Sequence, residues 1–326
     1  MATLTHPEPQ RRARTVQQRL EKYFTAGSLA LLIVFFGIAS DNFFSLTTFA
    51  SILNQLPALT VVAVGMTLVL IVGCIDLSVG SVVGLSSAVA GMAAVVYGLP
   101  LPLALLLGFI TGALCGLVNG CLSSWFALPS FIVTLGMLEM ARGLAYLTTG
   151  SQTLFIGASI QQLSLPITGI GVSPALIIAI SIVILAHFLV RNTVFGRYIV
   201  AIGTNETAAR MSGIPIHPYR ISVLVVSGSL AGLGGLFNAA YLGAADPNAG
   251  IGLELSAIAA AVIGGTSLMG GRGSVAGAFM GVLIIAVLQN GLAQLGATEP
   301  VKRLITGGVI IAAVLFDHWR LRRRER

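Results

Sequence analysis

Long apolar stretches, separated by short polar or glycine-containing connections, dominate the chain from residue 24 onward. A helix needs about 20 predominantly apolar residues to cross the hydrocarbon core of a bilayer. Ten runs of about that length occur, at 24–40, 57–73, 80–97, 101–123, 130–149, 174–190, 221–241, 254–269, 273–296 and 301–316. The pattern predicts an all-α, polytopic membrane protein with about ten transmembrane helices.

Polar, basic segments flank this apolar region. We predict an N-terminal tail over 1–23, a single transmembrane domain over 24–316 and a basic C-terminal tail over 317–326. A basic segment before an apolar run can also be a cleavable signal peptide. Because the basic segment is long here, we favour a first span that is retained.

The composition supports a membrane location. Hydrophobic residues make up 56% of the chain and charged residues only 9%, whereas soluble domains have about 25% charged residues. The mean hydropathy is +0.95. So few charges cannot cover the surface of a soluble globule, which excludes a water-soluble enzyme. The three cysteines, Cys74, Cys115 and Cys121, form no CxxC pair and are expected to be buried free thiols.

The basic residues predict the orientation. If the N-terminus is cytoplasmic, all but three of the 18 lysines and arginines fall in the two tails, in or beside the 191–220 loop, or at Arg272. Such a bias marks the cytoplasmic side, so both termini are predicted to be cytoplasmic. The exceptions are Arg142, Lys302 and Arg303. The net charge of +7 thus reflects membrane topology, and no nucleic-acid partner is expected.

Signatures of several enzyme classes are missing. A nucleotide-binding P-loop ends in Gly-Lys-Ser/Thr, but the two lysines, Lys22 and Lys302, follow Glu21 and Val301. The four histidines form no HExxH motif, and no Cys/His cluster has metal-ligand spacing. We therefore expect no ATP site, no metal site and no cofactor in this chain, and we do not expect an enzyme.

The inner loop contains a short segment, TNETAARMSG (204–213), that is typical of a small capped helix. Either of its first two residues can serve as the N-cap, Glu206 lies in the first turn and Arg210 in the last. Gly213 suits a left-handed C-terminal residue. Such a helix can dock a peripheral protein, or it can be a connector that only caps itself.

Asp76 lies between the second and third spans, at the predicted inner edge of the membrane, and Ser78 follows it. A lone acid there can stabilise the N-terminus of the third span through the helix dipole. A direct role in solute passage or gating is the alternative.

Glu139 and Arg142 lie in mid-span, three residues apart on one helical face. Charges inside a membrane are costly and usually paired, so we expect an ion pair that is either structural or part of a gate. Asn119 and Asn238 are further polar residues of the bundle and are expected to hydrogen-bond between helices. The candidate path or gating residues are Asp76, Ser78, Asn119, Glu139, Arg142 and Asn238.

Four segments carry a family resemblance: GMTLVLIVGCIDLSVGS (65–81), PSFIVTLGMLEMARGLAYLTTG (129–150), NTVFGRYIVAIGTNETAARMSGI (192–214) and ELSAIAAAVIGGTSLMGGRGSVAGAFMGVLI (254–284). They resemble the permease subunits of bacterial ribose-type ABC importers of monosaccharides, in the same order and over nearly the whole chain. Residues 206–213 are also similar to the EAA loop with which ABC permeases dock on their ATPase.

The resemblance implies an inner-membrane permease, surrounded by lipid, that carries a monosaccharide. ATP and Mg would be bound by a separate cytoplasmic ATPase, a second permease copy would complete the pore, and an extracytoplasmic sugar-binding protein would deliver the substrate. The implied docking residues are Asn205, Glu206, Ala208, Ala209, Arg210, Ser212 and Gly213.

Three other functions stay open on the residues alone. One is a permease of the same superfamily for a solute that is not a sugar. Another is a self-sufficient ion-coupled transporter, which needs an intramembrane acid such as Glu139 to carry the ion. The third is a membrane scaffold or sensor without transport.

Overall fold

The computed structural model describes residues 25–169 and 171–322, and most of these residues lie in helices. The predicted N-terminal tail and the last four residues of the predicted C-terminal tail fall outside them. The elements are α1 Thr25–Ala39, α2 Leu46–Ile71, α3 Val79–Val95, α4 Leu101–Trp125, α5 Ser130–Thr149, β1 Leu154–Phe155, α6 Ala158–Gln161, α7 Pro174–Asn192, α8 Val194–Thr204, α9 Glu206–Met211, α10 Ile216–Leu242, β2 Ala244–Ala245, α11 Leu253–Ile263, α12 Val275–Gln294 and α13 Glu299–Arg322.

Each of the ten predicted apolar runs coincides with a helix. Among the described residues, six helices are long and apolar enough to cross a membrane: α2, α4, α5, α7, α10 and α12. Helices α1, α3 and α11 are apolar but shorter. The prediction of an all-α, polytopic membrane protein is therefore confirmed.

Helices α2 and α3 form the centre of the bundle. Every residue of α2 from Leu59 to Ile71 is buried, so this part of the helix has no polar face to present to solvent. Helices α7, α10, α11 and α12 pack around α2, and α4, α5 and α10 pack around α3. Helix α10 packs against both α2 and α3 and so joins the two groups.

Glycines bring α4 and α10 into close contact. Gly108, Gly112 and Gly116 recur every four residues on α4 and face Gly228 and Gly232 of α10. A Cβ atom on Gly112 would lie 2.8 Å from the Cα atom of Gly232. Small residues at this spacing let two membrane helices approach until their backbones touch.

The bundle has two distinct ends. At one end, which we call the basic end, α8, α9 and the start of α10 meet the last turn of α2 and the turn 264–274, and the amide of Gly271 donates to the carbonyl of Ile71 at 2.9 Å. At the other, the ribbon end, β1 pairs with β2 in an antiparallel ribbon beside α6 and the end of α10. The basic end has four exposed arginines, Arg191, Arg197, Arg210 and Arg272.

Candidate functional site

Helix α9 is the short capped helix that the sequence predicts. The side-chain oxygen of Asn205 accepts a hydrogen bond from the amide of Ala208 at 3.0 Å, so Asn205 is the N-cap. After the helix, Gly213 adopts a φ of 79°, a left-handed conformation that a side chain would strain. Both ends of α9 are therefore set by local chemistry.

The preceding helix, α8, corrects an expectation, because the sequence analysis treated its residues as loop. Its N-cap is Thr193, whose hydroxyl accepts from the amide of Gly196 at 3.3 Å. Ile199 and Ile202 of α8 are buried in a cluster with Val72, next to the end of α2. With 11 residues α8 is too short to be recognised as a span, but apolar residues at helical spacing mark its buried face.

Two arginines hold Glu206, the first residue of α9. One carboxylate oxygen accepts from Arg210 at 2.9 Å and the other from Arg220 at 2.7 Å. Arg220 belongs to α10 and its side chain is only 23% exposed, whereas that of Arg210 is 63% exposed. Glu206 therefore fastens α9 to the start of α10, and the surface around it remains basic.

The predicted docking residues divide into two groups. Ala209 is buried in the apolar cluster beneath α9. Glu206 is half-buried, and Asn205, Ala208, Arg210, Ser212 and Gly213 are exposed. Met211, which the sequence analysis did not select, has 86% of its surface exposed.

Three of the candidate path residues meet inside the bundle. Asp76 accepts hydrogen bonds from the amide and the hydroxyl of Ser78, at 3.0 and 2.6 Å. Asn119 of α4 donates to the Ser78 hydroxyl at 3.0 Å, and Ser227 of α10 donates to Asp76 at 3.1 Å. Each of these four residues is only 1% exposed. Ser227 was missed, because nothing in the sequence separates it from the other serines of α10.

Asp76 lies in a non-helical segment, residues 72–78, that joins α2 to α3. Backbone polar groups in such a segment need partners when no water is available. The amide of Ile75 donates to the hydroxyl of Ser130 at 3.0 Å, and the amide of Leu77 donates to that of Thr134 at 3.1 Å. The segment is thus held against α5, and Asp76 lies buried inside the bundle, just before the N-terminus of α3.

The expected ion pair between Glu139 and Arg142 is wrong. In the part of the chain that the structure describes, Arg142 joins no ion pair. Its guanidinium donates instead to the carbonyl oxygens of Pro247 and Ala249, the latter at 3.0 Å. Spacing of three residues allows a pair on a helix, but two buried carbonyls in a non-helical segment are competing acceptors for the same donor.

The segment that Arg142 reaches, residues 246–252, joins β2 to α11. Tyr146, one turn further along α5, donates from its hydroxyl to the side-chain oxygen of Asn248 at 2.8 Å. Ser130, Thr134, Arg142 and Tyr146 occupy one row of α5 at intervals of four residues or a multiple of four. This row of α5 therefore holds both the segment 72–78 and the segment 246–252.

The remaining two candidates lie apart from this cluster. Glu139 is exposed on the side of α5 turned away from Ser130 and Thr134, between Gly136 and Gly143, and neither glycine has a neighbouring heavy atom within 4 Å of its Cβ position. Asn238 is half-buried on α10, about 16 Å along the helix from Ser227. The structure thus gives these two residues no shared site with Asp76.

Comparison with known proteins places most of the bundle, from α2 to α13, in one family. Residues 48–314 match the family model described as "Branched-chain amino acid transport system / permease component". The match includes the Asp76 cluster, the row on α5 and the α8–α9 unit.

Three relatives carry more specific names. The ribose import permease protein RbsC of Haemophilus influenzae is 37% identical over 296 residues, 90% of this chain and 91% of its own. The fructose import permease protein FrcC of Rhizobium meliloti is 34% identical over 322 residues, 94% and 89% of the two chains. The autoinducer 2 import system permease protein LsrC of Yersinia pseudotuberculosis is 36% identical over 292 residues, 89% and 83%.

Proposed function

This chain belongs to the family of branched-chain amino acid transport system permease components, and on that premise we propose that it is the membrane-spanning subunit of an ATP-driven monosaccharide importer. Its relatives are named as permeases for ribose, fructose and autoinducer 2. It is a multi-pass protein of the plasma membrane, with six long apolar helices among the described residues. The shared family and the named sugars support a small sugar as the substrate.

In the proposed topology, ten helices cross the bilayer and both termini are cytoplasmic. The basic end then faces the cytoplasm, in agreement with the positive-inside rule. The shorter helices α3 and α11 adjoin the non-helical segments 72–78 and 246–252, and surrounding protein shields these segments from lipid, as membrane backbone requires.

A separate cytoplasmic ATPase, which binds ATP and Mg, is proposed to dock on α9. The observation that carries this proposal is the ion pair between Glu206 and Arg220, because it joins α9 to α10, a long helix that runs through the core. Helix α8 is buried against the end of α2 by Ile199 and Ile202. A movement of α9 would thereby be transmitted to α10 and α2.

A second copy of the chain and an extracytoplasmic sugar-binding protein complete the proposed importer. The exposed face of α5 has an acid, Glu139, between two glycines, and a charged residue is costly against lipid. We assign this face to the contact between the two copies, where it lines the path. Asp76, Ser78 and Asn119 are proposed to stabilise the packing of the helices behind this face. The binding protein is proposed to dock at the ribbon end.

Reconstitution tests the proposal. The permease is placed in liposomes with its cognate ATPase and binding protein, and entry of labelled ribose, fructose and allose is measured with and without internal ATP. Sugar accumulation should require ATP and all three proteins. Accumulation by the permease alone under a proton or sodium gradient would favour the ion-coupled transporter. If the complete system takes up none of these sugars, a permease for a solute that is not a sugar is favoured.

Docking on α9 has its own test. The change Glu206→Lys breaks both ion pairs of the carboxylate and should lower co-purification of the ATPase by at least about tenfold. The double change Glu206→Lys with Arg220→Glu restores an opposite pair at this position and should recover part of the capture. Gly213→Val strains the left-handed residue after α9 and should also lower capture.

A matched control keeps this test specific. Glu299→Lys reverses an exposed, ion-paired acid of α13 and should leave ATPase capture unchanged, with equal membrane abundance of all variants as the condition for comparison. Normal capture and transport by Glu206→Lys and Gly213→Val would show that α9 is only a connector.

A further inference from the structure

A cleft opens at the basic end, beside the start of α9. It has a volume of about 230 Å³ and lies between the end of α8 and the turn 264–274. Its walls include Gly203, Thr204, Ser267, Met269, Gly271 and Arg272. The cleft is thus built from two segments that are far apart in sequence, and neither of them belongs to the docking helix itself.

The floor of the cleft is fixed by backbone hydrogen bonds. The amide of Gly271 donates to the carbonyl of Ile71 at 2.9 Å, which ties the turn to the end of α2. The amide of Ser267 donates to the carbonyl of Arg272 at 3.0 Å, and the amide of Met269 donates to the Ser267 hydroxyl at 3.2 Å. Because these amides are already paired, a ligand of the cleft must be recognised by side chains.

The available side chains favour an acidic ligand with apolar surroundings. Arg272 is exposed, and no carboxylate of the described residues forms an ion pair with it. The Ser267 hydroxyl accepts from the backbone and still has its own proton to donate. Met269 is 84% exposed, and methionine adapts readily to the surface of a partner.

The position of the cleft identifies the kind of partner. Thr204, in its wall, directly precedes Asn205, the N-cap of α9, so a globular protein seated on α9 would also cover the cleft. The surrounding surface exposes Arg191, Arg197 and Arg210, and complementary charge favours an acidic partner surface.

We infer that this cleft is a second docking site for the ATP-binding subunit and receives an acidic side chain of that subunit. The inference rests on the proposed function, since it assumes that a cytoplasmic ATPase binds the basic end. The ATPase then contacts two elements, α9 and the turn 264–274. The turn is hydrogen-bonded through the Gly271 amide to Ile71, and the segment 72–78 that carries Asp76 follows Ile71 directly, so contact with the turn also affects this segment.

Photocross-linking in the assembled importer separates this inference from docking on α9. The photoreactive residue p-benzoylphenylalanine replaces Met269 in one variant and Met211 of α9 in another, with Phe155 at the ribbon end as the control position. We expect cross-links to the ATPase from positions 269 and 211 and none from position 155.

The possible outcomes are distinct. A cross-link from position 211 alone would support docking on α9 and overturn the second site. A cross-link from position 269 alone would support the second site and contradict docking on α9. A cross-link from position 269 to lipid and not to the ATPase would also overturn the inference, and no ATPase cross-link from either position would overturn both.

A charge reversal tests the acidic ligand. Arg272→Glu should lower ATPase capture by about tenfold, whereas Arg272→Lys, which keeps the charge, should stay within about twofold of the original protein. Arg303→Glu makes the same change on α13, outside the cleft, and should have no effect. Capture by Arg272→Glu within twofold of the original protein would show that Arg272 binds no acid of the ATPase.

Discussion

Two non-helical segments lie within the bundle, and α5 holds them in different ways. Residues 72–78 lie directly against α5, where the hydroxyls of Ser130 and Thr134 pair with backbone amides. Residues 246–252 are reached by Arg142, which donates to two carbonyls. The first segment therefore depends on two short, neutral hydroxyls, and the backbone carbonyls of the second depend on one long, charged group, while Tyr146 holds its Asn248 side chain.

This difference sets how each segment responds to damage. A hydroxyl pairs one or two backbone groups, so its loss leaves a small defect in a segment that other contacts still hold. The Arg142 guanidinium alone donates to two carbonyls. Its loss therefore leaves both acceptors without a hydrogen-bond partner in a region where water is scarce. We therefore expect the segment 246–252 to be the more vulnerable of the two.

The largest effect is expected where the second segment touches α3. A Cβ atom on Gly80 would overlap the carbonyl oxygen of Gly250 and the carboxylate of Glu254, and backbone cannot move aside easily. Gly80→Val should therefore destabilise the fold by about 3 kcal/mol or more, measured as thermal stability and as permease abundance in the membrane. Gly308→Val, at an open position on α13, should leave both unchanged, and equal losses in the two variants would refute the contact.

The next largest effect is expected at Arg142. Arg142→Ala should cost about 3 kcal/mol, because the carbonyls of Pro247 and Ala249 lose their donor. Arg142→Lys keeps a charged donor for one of them and should recover part of the loss in a thermal melt. If the alanine variant melts like the original protein, the segment is held by other contacts.

A smaller effect is expected at the first segment. Thr134→Val keeps the shape of the side chain but removes the acceptor of the Leu77 amide, which should cost about 1–2 kcal/mol. Thr134→Ser preserves the hydroxyl and should stay close to the original stability. A valine variant more damaging than Arg142→Ala would reverse the comparison between the two segments.

The smallest effect is expected at Glu139, an exposed residue of the same helix. Glu139→Gln should change the stability of the separated chain by less than about 0.5 kcal/mol, because this exposed residue forms no ion pair with Arg142 in the described structure. A double-mutant cycle between the two positions should give a coupling energy near zero. Strong coupling would restore the ion pair that the sequence suggests.

Local patterns in the sequence predict much of this molecule. The apolar runs identify the helices, and the cap at Asn205 and the glycine at 213 follow from residue types at fixed offsets. These features are predictable because the physical cause lies within a few residues of its effect. The resemblance of four segments likewise identifies the family that the comparisons confirm.

The contacts that build the site lie beyond such patterns. Arg142 binds carbonyls more than 100 residues away, and a carbonyl has no residue-type signature. Helix α8 was missed because its 11 residues are shorter than a span, although the spacing of its apolar residues fits a helix with one buried face. The spacing of Glu139 and Arg142 permits an ion pair, but spacing alone cannot weigh a rival acceptor.

The row of side chains on α5 also fixes the length of that helix. Thr134 and Arg142 are eight residues apart, and each residue turns the helix by about 100° and advances it by about 1.5 Å. One residue inserted between them would swing Arg142 away from the segment 246–252 while Thr134 kept its hold on the segment 72–78. Even a whole turn of added helix would move Arg142 by about 5.4 Å along the axis, so insertions and deletions between these two positions should be poorly tolerated.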